Sequence, residues 1–354
     1  MASGSRTIVI SDIHLSDGNE YSSFSPPDSN YLTFLLNAIC DKSFRVEELV
    51  LLGDVFDLWL YPVDVVPSTV GDIIKANSSI KEAIERCVKS IPKVYLLKGN
   101  HDMRVTEKDL EPFDSGGENR IRLIDTDCYK KKHDGMRHFE HGHKADMFNA
   151  EPEIGEDTIG GYPLGYFLTR LTAREHPGIW DTVRKICENF LGPLTWETKA
   201  EKSLETLNFL GETLVRVLIG YIQAESGIKD ETPIRFTERE LDEQYVVGDI
   251  KNHYGDLFGK WHKKYPGTDI FRSMFASRRL KGGLEWYAEK ILAAPSPPKM
   301  VVMGHTHQFV VDHEGYSNDG AFCETRNLSC LEIVDNKPAI IARLSSEPDR
   351  ATED

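Results

Sequence analysis

The chain has 354 residues, 40% hydrophobic and 28% charged. That is the make-up of a soluble globular protein with a substantial core, in one large domain or two ordinary ones. A formal net charge of −15 argues against broad binding to nucleic-acid backbone, which needs basic surface, though it allows a local phosphate pocket. No apolar run reaches the ~18 residues that span a bilayer, and the densest, LVRVLIGYI at 214–222, carries Arg216.

The start, MASGSRTIVISD, enters an apolar run within six residues, too soon for the apolar segment of a signal peptide. The six cysteines (Cys40, Cys87, Cys128, Cys187, Cys323, Cys330) are scattered without CxxC spacing and read as reduced thiols. A cytoplasmic protein is expected.

Short apolar runs then recur, each closed by a polar motif. Ile8–Ile10 precede Asp12, Leu49–Leu52 precede Gly53-Asp54, and Val94–Leu97 precede Gly99-Asn100. Continuous apolar runs of this length predict strands buried on both faces. Between them, Tyr31, Phe34, Leu35 and Ile39 keep helical spacing, as do Ile80, Ala83, Ile84, Cys87, Val88 and Ile91. Strand–helix–strand alternation predicts a parallel α/β sheet with its ligand site at the carboxyl ends of the strands.

From 151 to 295 helical signals dominate, as in the stripe Leu204, Leu207, Leu214, Leu218 and Tyr221. Strands return at Met300–Met303 before Gly304, at about 308–312, at 327–334 and at 337–343, with turns at HEGYSNDG and DNKP. The expected organisation is a discontinuous core of 1–150 and 296–345, a helical insertion at 151–295, and a loose polar tail at 346–354.

Residues suited to cations collect at the strand ends: Asp12 and His14 in SDIH, Asp54 in LGDVFD, Asn100 in KGNHD, His141 in EHGHKAD, and His305 and His307 in GHTH. In an extended segment, side chains two apart share a face, so Asp12/His14 and His305/His307 are expected to act as pairs. Carboxylate, imidazole and amide donors suit manganese, iron, zinc or nickel, and the lack of cysteine among them speaks against a purely structural zinc. A D-x-H or G-D pair is common on its own; the five motifs in this order are not.

The series DIH, GDVFD, GNHD, HGH, GHTH resembles the calcineurin-like metallophosphoesterase superfamily, over 6–149 and 299–343. GDVFDLW and HGHKADMFN look closest to the branch containing UDP-2,3-diacylglucosamine hydrolase, although His101 stands where that branch tends to carry arginine. The resemblance implies an α/β sandwich of two mixed sheets flanked by helices, with two divalent cations, manganese first. It implies Asp12, His14 and His307 at one metal, Asp54 bridging, and Asn100, His141 and His305 at the other. His143 would lie beside the site as a candidate substrate contact, the alternative being that His143 and not His141 is the ligand in EHGH. His101 becomes the general acid, with Asp102 to orient it.

The expected activity is hydrolysis of a phosphoester or pyrophosphate bond in a small molecule, by attack of a hydroxide shared between the metals. A lipid pyrophosphatase of the branch above, a nucleotide phosphodiesterase or nuclease, and a metal-binding scaffold without turnover are the alternatives. The insertion is expected to decide substrate choice, with Arg170 and Arg174 as candidates to grip a second phosphate.

Overall fold

A computed structural model describes residues 6–114, 120–124, 129–131, 137–153, 157–174, 179–191, 204–265, 273, 284–323, 329–335 and 337–342. The expected tail at 346–354 lies outside these residues, as do Cys128 and most of 266–283. The chain divides into two compact units. One comprises 1–57, 70–142 and 285–354, the other 58–69 and 143–284. The second thus takes in 58–69, a stretch that the expected boundaries assigned to the core.

The first unit holds two mixed sheets. In one, β1 (Arg6–Ile10), β2 (Val46–Leu52), β3 (Lys93–Leu97) and β4 (Ile121–Ile124) run parallel, and β10 (Ser329–Val334) and β11 (Lys337–Ala342) complete it antiparallel, in the order β11-β10-β1-β2-β3-β4. In the other, β6 (Arg137–Phe139), β7 (Met300–Met303) and β9 (Tyr316–Asp319) run parallel, flanked by β5 (Tyr129–Lys131) and β8 (Phe309–His313) in the order β5-β6-β7-β9-β8. The single parallel sheet read from strand–helix alternation is therefore replaced by the two-sheet sandwich. The extra strands are short or polar, and Tyr316–Asp319 lies inside a stretch that read as a turn.

Period-2 alternation builds the core. Val9, Val50, Leu52, Tyr95, Leu97, Leu331 and Ile333 from the first sheet pack with Phe139, Met300 and Val302 from the second. Leu49 and Leu51, on the opposite face of β2, are equally buried, so the central strands are apolar on both sides, as their sequence required.

Helix α1 (Pro26–Ile39) opens with proline in its first turn, and the Asp28 carboxylate accepts from the Ser25 backbone N–H at 2.8 Å. It buries Leu32, Leu35, Leu36 and Ile39 and leaves Phe34 exposed, so Leu35 and Ile39 face the core as expected while Phe34 does not. The helix Ser78–Ser90 buries Ile80, Ala83, Ile84, Cys87 and Val88 as expected.

The second unit is mostly helical among its described residues. The helix Leu204–Ser226 buries Leu207, Leu214, Leu218 and Ile222. The helix Leu164–Leu171 presents Tyr166, which stacks on Tyr162 at 4.0 Å between ring centres and meets Trp59 edge-on at 5.6 Å. No helix among the described residues is long and apolar enough to cross a membrane.

Candidate metal centre

Register brings the motifs together. Ile10 pairs with Leu51, Leu52 with Leu97, and Phe139 with Val302. The residues that follow in each parallel strand, Asp12, Asp54, Asn100, His141 and His305, therefore emerge at carboxyl ends, the usual place for a ligand site in such sheets.

Beyond the strands the backbone leaves the extended region. Asp12, His14, Asp54, His305 and His307 have φ of 50°, 52°, 51°, 68° and 55°. The shared orientation inferred from an extended segment is thus corrected: each pair converges through left-handed backbone within turns. Such positions cost on the order of 1–3 kcal/mol each for non-glycine residues and persist where the surroundings over-determine them. Here Asp12 N–H donates to the Gly53 carbonyl at 3.1 Å and His14 N–H to the Asp54 carbonyl at 2.9 Å. His305 N–H donates to the Asp12 carboxylate at 2.9 Å.

Two glycines make room. Gly53 has φ +87°, and a Cβ there would lie 2.6 Å from His141 Nδ1. A Cβ on Gly304 would strike the Ser11 hydroxyl and lie 2.5 Å from an Asp12 oxygen. The glycines that punctuate the motifs are contact points between neighbouring loops.

The donors form overlapping groups whose ligand atoms all lie within 4.8 Å of one another. One is Asp12, His14 and Asp54; another is Asp54, His141 and His305; Asp54 belongs to both. His141 Nε2 is 3.2 Å from Asp54 Oδ2, and His14 Nε2 is 3.8 Å from the same oxygen. His307 Nε2 stands 3.3 Å from Asp12 Oδ1 and 3.2 Å from His14 Nε2. His141 Nδ1 is 2.8 Å from the Leu52 carbonyl, which sets the proton on Nδ1 and presents Nε2 as a ligand. Asn100 is buried, and its Oδ1 has no hydrogen-bond partner among the described residues.

Burial disfavours charge on Asp54, yet the His141, His101 and His14 rings hold its carboxyl well below the ordinary 3.8. Burial likewise opposes the Asp12 carboxylate, and His141 and His307 outweigh it, giving about 2. Burial works against charge on His141, but Asp54 and Asp12 lift it to about 10. The pocket thus gathers carboxylates whose ionised form the neighbouring His141 ring favours, and the same oxygens and ring nitrogens are the donors a divalent cation would take. The buried oxygen-and-nitrogen donor set, the carboxylate common to two groups and the orphaned Asn100 oxygen fit a pair of such cations.

His101 and Asp57 sit beside this cluster. His101 Nδ1 is 2.9 Å from Asp57 Oδ1, and His14 Nδ1 is 3.4 Å from Asp57 Oδ2. Burial lowers the His101 pKa, but Asp57 and Asp54 more than offset it, leaving the ring above its ordinary 6.5. Asp102, expected to orient His101, instead accepts from Gly99 N–H at 2.6 Å and Val55 N–H at 2.7 Å. Burial and Asp54 push its carboxyl up to about 6. Asp57 carries the contact to the ring, because its loop follows Asp54 while Asp102 is turned back under the GNHD turn.

The remaining expected residues belong to the second unit. His143 is buried in the short 3-10 turn His143–Ala145. Arg170 is buried, and its guanidinium donates to the Tyr61, Pro62, Val63, Val65 and Arg235 carbonyls and to the Tyr166 hydroxyl. These contacts give Arg170 work inside its own unit in place of the expected grip on a phosphate. Arg174 pairs with Asp64 at 2.8 Å.

Two residues near the metal groups escaped sequence reading. Asp319 accepts from Ser11 N–H at 2.5 Å and from Ser11 Oγ at 2.8 Å, steadying the turn before Asp12. Burial and Asp12 raise its carboxyl to about 7. Cys323 joins His14 and His307 in a further group within the same 4.8 Å limit. A lone cysteine in FCET and an aspartate in a turn-like SNDG carry no signal by themselves.

Comparison with curated proteins gives no match. The model of the calcineurin-like phosphoesterase family matches residues 5–321, a span that includes every motif residue placed above, and the chain belongs to that family.

Proposed function

We propose that this protein is a two-cation phosphoesterase that hydrolyses a phosphoester or phosphoanhydride bond of a small molecule. The observation that carries the reading is the Asp54 carboxylate, common to the Asp12/His14 and His141/His305 groups. Asp12, His14 and His307 would hold one cation, and Asn100, His141 and His305 the other, with Asp54 between them. Manganese suits the donor set, as do iron, zinc and nickel.

When bound, a pair of divalent cations acidifies water and draws charge from the phosphoryl oxygens. The residues of the chain do the rest. Asp57 fixes the His101 ring through Nδ1, so Nε2 is the nitrogen that delivers a proton to the departing oxygen. Leu52 and Asp57 orient His141 and His14 through their Nδ1 atoms. His101 and His307 retain 15% and 30% side-chain exposure while the other described ligands are nearly closed off, which makes them the members substrate meets first.

The test is a panel of aryl phosphates, dinucleotides, pyrophosphates and a nucleotide-sugar lipid, assayed with Mn²⁺. Asp54→Asn is expected to lower turnover on the order of 10³-fold or more and to reduce bound metal measured by elemental analysis. Wild-type turnover with full metal content in that variant would remove the bridging role. Cleavage of the lipid alone would select the pyrophosphatase reading. Tight, salt-dependent DNA binding would favour a nuclease, against the net charge of −15.

A further inference from the structure

We propose that Cys323 is an additional metal ligand, its thiolate joining His14 and His307 at the first cation position and biasing that position toward softer divalent ions. This rests on the two-cation reading above and adds a sulfur donor to it.

The placement is built rather than incidental. Phe322 N–H donates to the Asp12 carbonyl at 3.0 Å, which ties the segment to the loop that carries Asp12 and His14. The Phe322 ring stacks on Tyr31 at 5.6 Å between centres. Upstream, Gly320 turns the chain at φ +83°, with its N–H donating to Asn318 Oδ1 at 3.0 Å. Ser329 closes the other side, with its N–H donating to the Ala321 carbonyl at 3.3 Å. These restraints leave the Cys323 side chain 1% exposed, in reach of the His14 and His307 nitrogens.

Geometry and chemistry then agree. Donors on one ion, at ~2.0–2.1 Å for nitrogen and ~2.3 Å for sulfur, stand at most roughly 4.4 Å apart. The His14 and His307 Nε2 atoms are 3.2 Å apart, inside that span, and the sulfur lies within 4.8 Å of one nitrogen of each ring, so a side-chain adjustment of a few tenths of an ångström would seat all three donors on one ion. A buried thiol acting only as a small hydrophobe belongs among apolar neighbours. Cys330 fits that description within β10, and Cys87 meets Cys40 at 3.3 Å. Cys323 instead meets two imidazoles. On binding, the thiol proton passes to solvent and a sulfur lone pair forms the metal bond. Thiolate favours zinc, cobalt or cadmium over manganese.

The test is titration of the metal-stripped full-length protein with Co²⁺, read in the visible for cobalt binding and in the near-ultraviolet for sulfur-to-cobalt charge transfer. Wild type is expected to show both bands. Cys323→Ser and Cys323→Ala, checked for fold by circular dichroism, keep the visible bands and lose the near-ultraviolet one, while Cys40→Ser keeps both. Cd²⁺ affinity should fall at least ~10-fold in Cys323→Ser, the size seen for partners even of a ligand, with Mn²⁺ affinity little changed. Visible bands without charge transfer in wild type, or charge transfer that persists in Cys323→Ser, overturn the thiolate and leave the two-cation reading standing. No cobalt binding at all overturns both.

Discussion

At the scale of single residues, the Asp57–His101 pair makes a specific kinetic prediction. A general acid matters most when the leaving group is a poor one. His101→Ala should therefore lower kcat by about 10²–10⁴-fold with an alkyl phosphate and far less with a nitrophenyl phosphate. Asp57→Asn, which keeps the shape but not the charge, should reproduce part of that leaving-group dependence; equal losses on both substrates would assign the pair a purely structural role. Gly304→Ala tests the close approach of GHTH to the first strand loop. The added methyl meets Ser11 and Asp12, both rooted in that loop, so a cost of about 1–3 kcal/mol is expected. Metal affinity should fall with it, and calorimetric titration reads the loss. An alanine variant that loads metal normally would mean that the loop yields.

At the scale of elements, Arg170 is the clearest case of a residue whose type suggested one role and whose surroundings give it another. Five main-chain carbonyls and the Tyr166 hydroxyl converge on one guanidinium. Arg170→Met would remove a donor from each of those acceptors, of which the Pro62 and Val63 carbonyls keep the Val65 and Arg235 N–H groups. A loss of about 3 kcal/mol or more is expected in denaturant unfolding. Arg170→Lys should recover little, since a point ammonium cannot serve a forked set of acceptors. The apolar runs of β1, β2, β3 and β7 were legible because burial on both faces writes an unbroken hydrophobic stretch. β9 was not: Tyr316, Ser317, Asn318 and Asp319 are all buried, and the polar ones are satisfied by bonds that local spacing does not reveal, Ser317 with Asp312 N–H, Asn318 with the Gly304 carbonyl and Thr306, and Asp319 with Ser11. The α1 stripe was misplaced at Phe34 because helical spacing leaves neighbouring faces nearly equivalent until something packs against one of them.

At the scale of the whole molecule, ligand binding links the site to stability. The candidate centre keeps Asp12 and Asp54 buried, and a cation that binds the folded chain but not the unfolded one stabilises it by mass action. At 100 times the dissociation constant the gain is about 2.7 kcal/mol. The melting temperature of the metal-stripped protein should rise with the logarithm of added Mn²⁺ and fall back with chelator. The increment should largely vanish in Asp54→Asn. A melting temperature indifferent to metal would contradict a centre formed by folding.

The amino-acid sequence by itself determined which donors exist and where they sit along the chain. Apolar runs end in Asp12, Asp54, Asn100 and His305 because strands buried on both faces can expose chemistry only where they stop. Only the tertiary structure decided how those ends meet: left-handed turns in place of extended pairs, Asp54 common to two groups, Asp57 in place of Asp102 at His101, and Cys323 beside His14 and His307. Each depends on contacts between residues tens to hundreds of positions apart. Local spacing is blind to these, because strand register and loop packing, not sequence neighbours, set the distances.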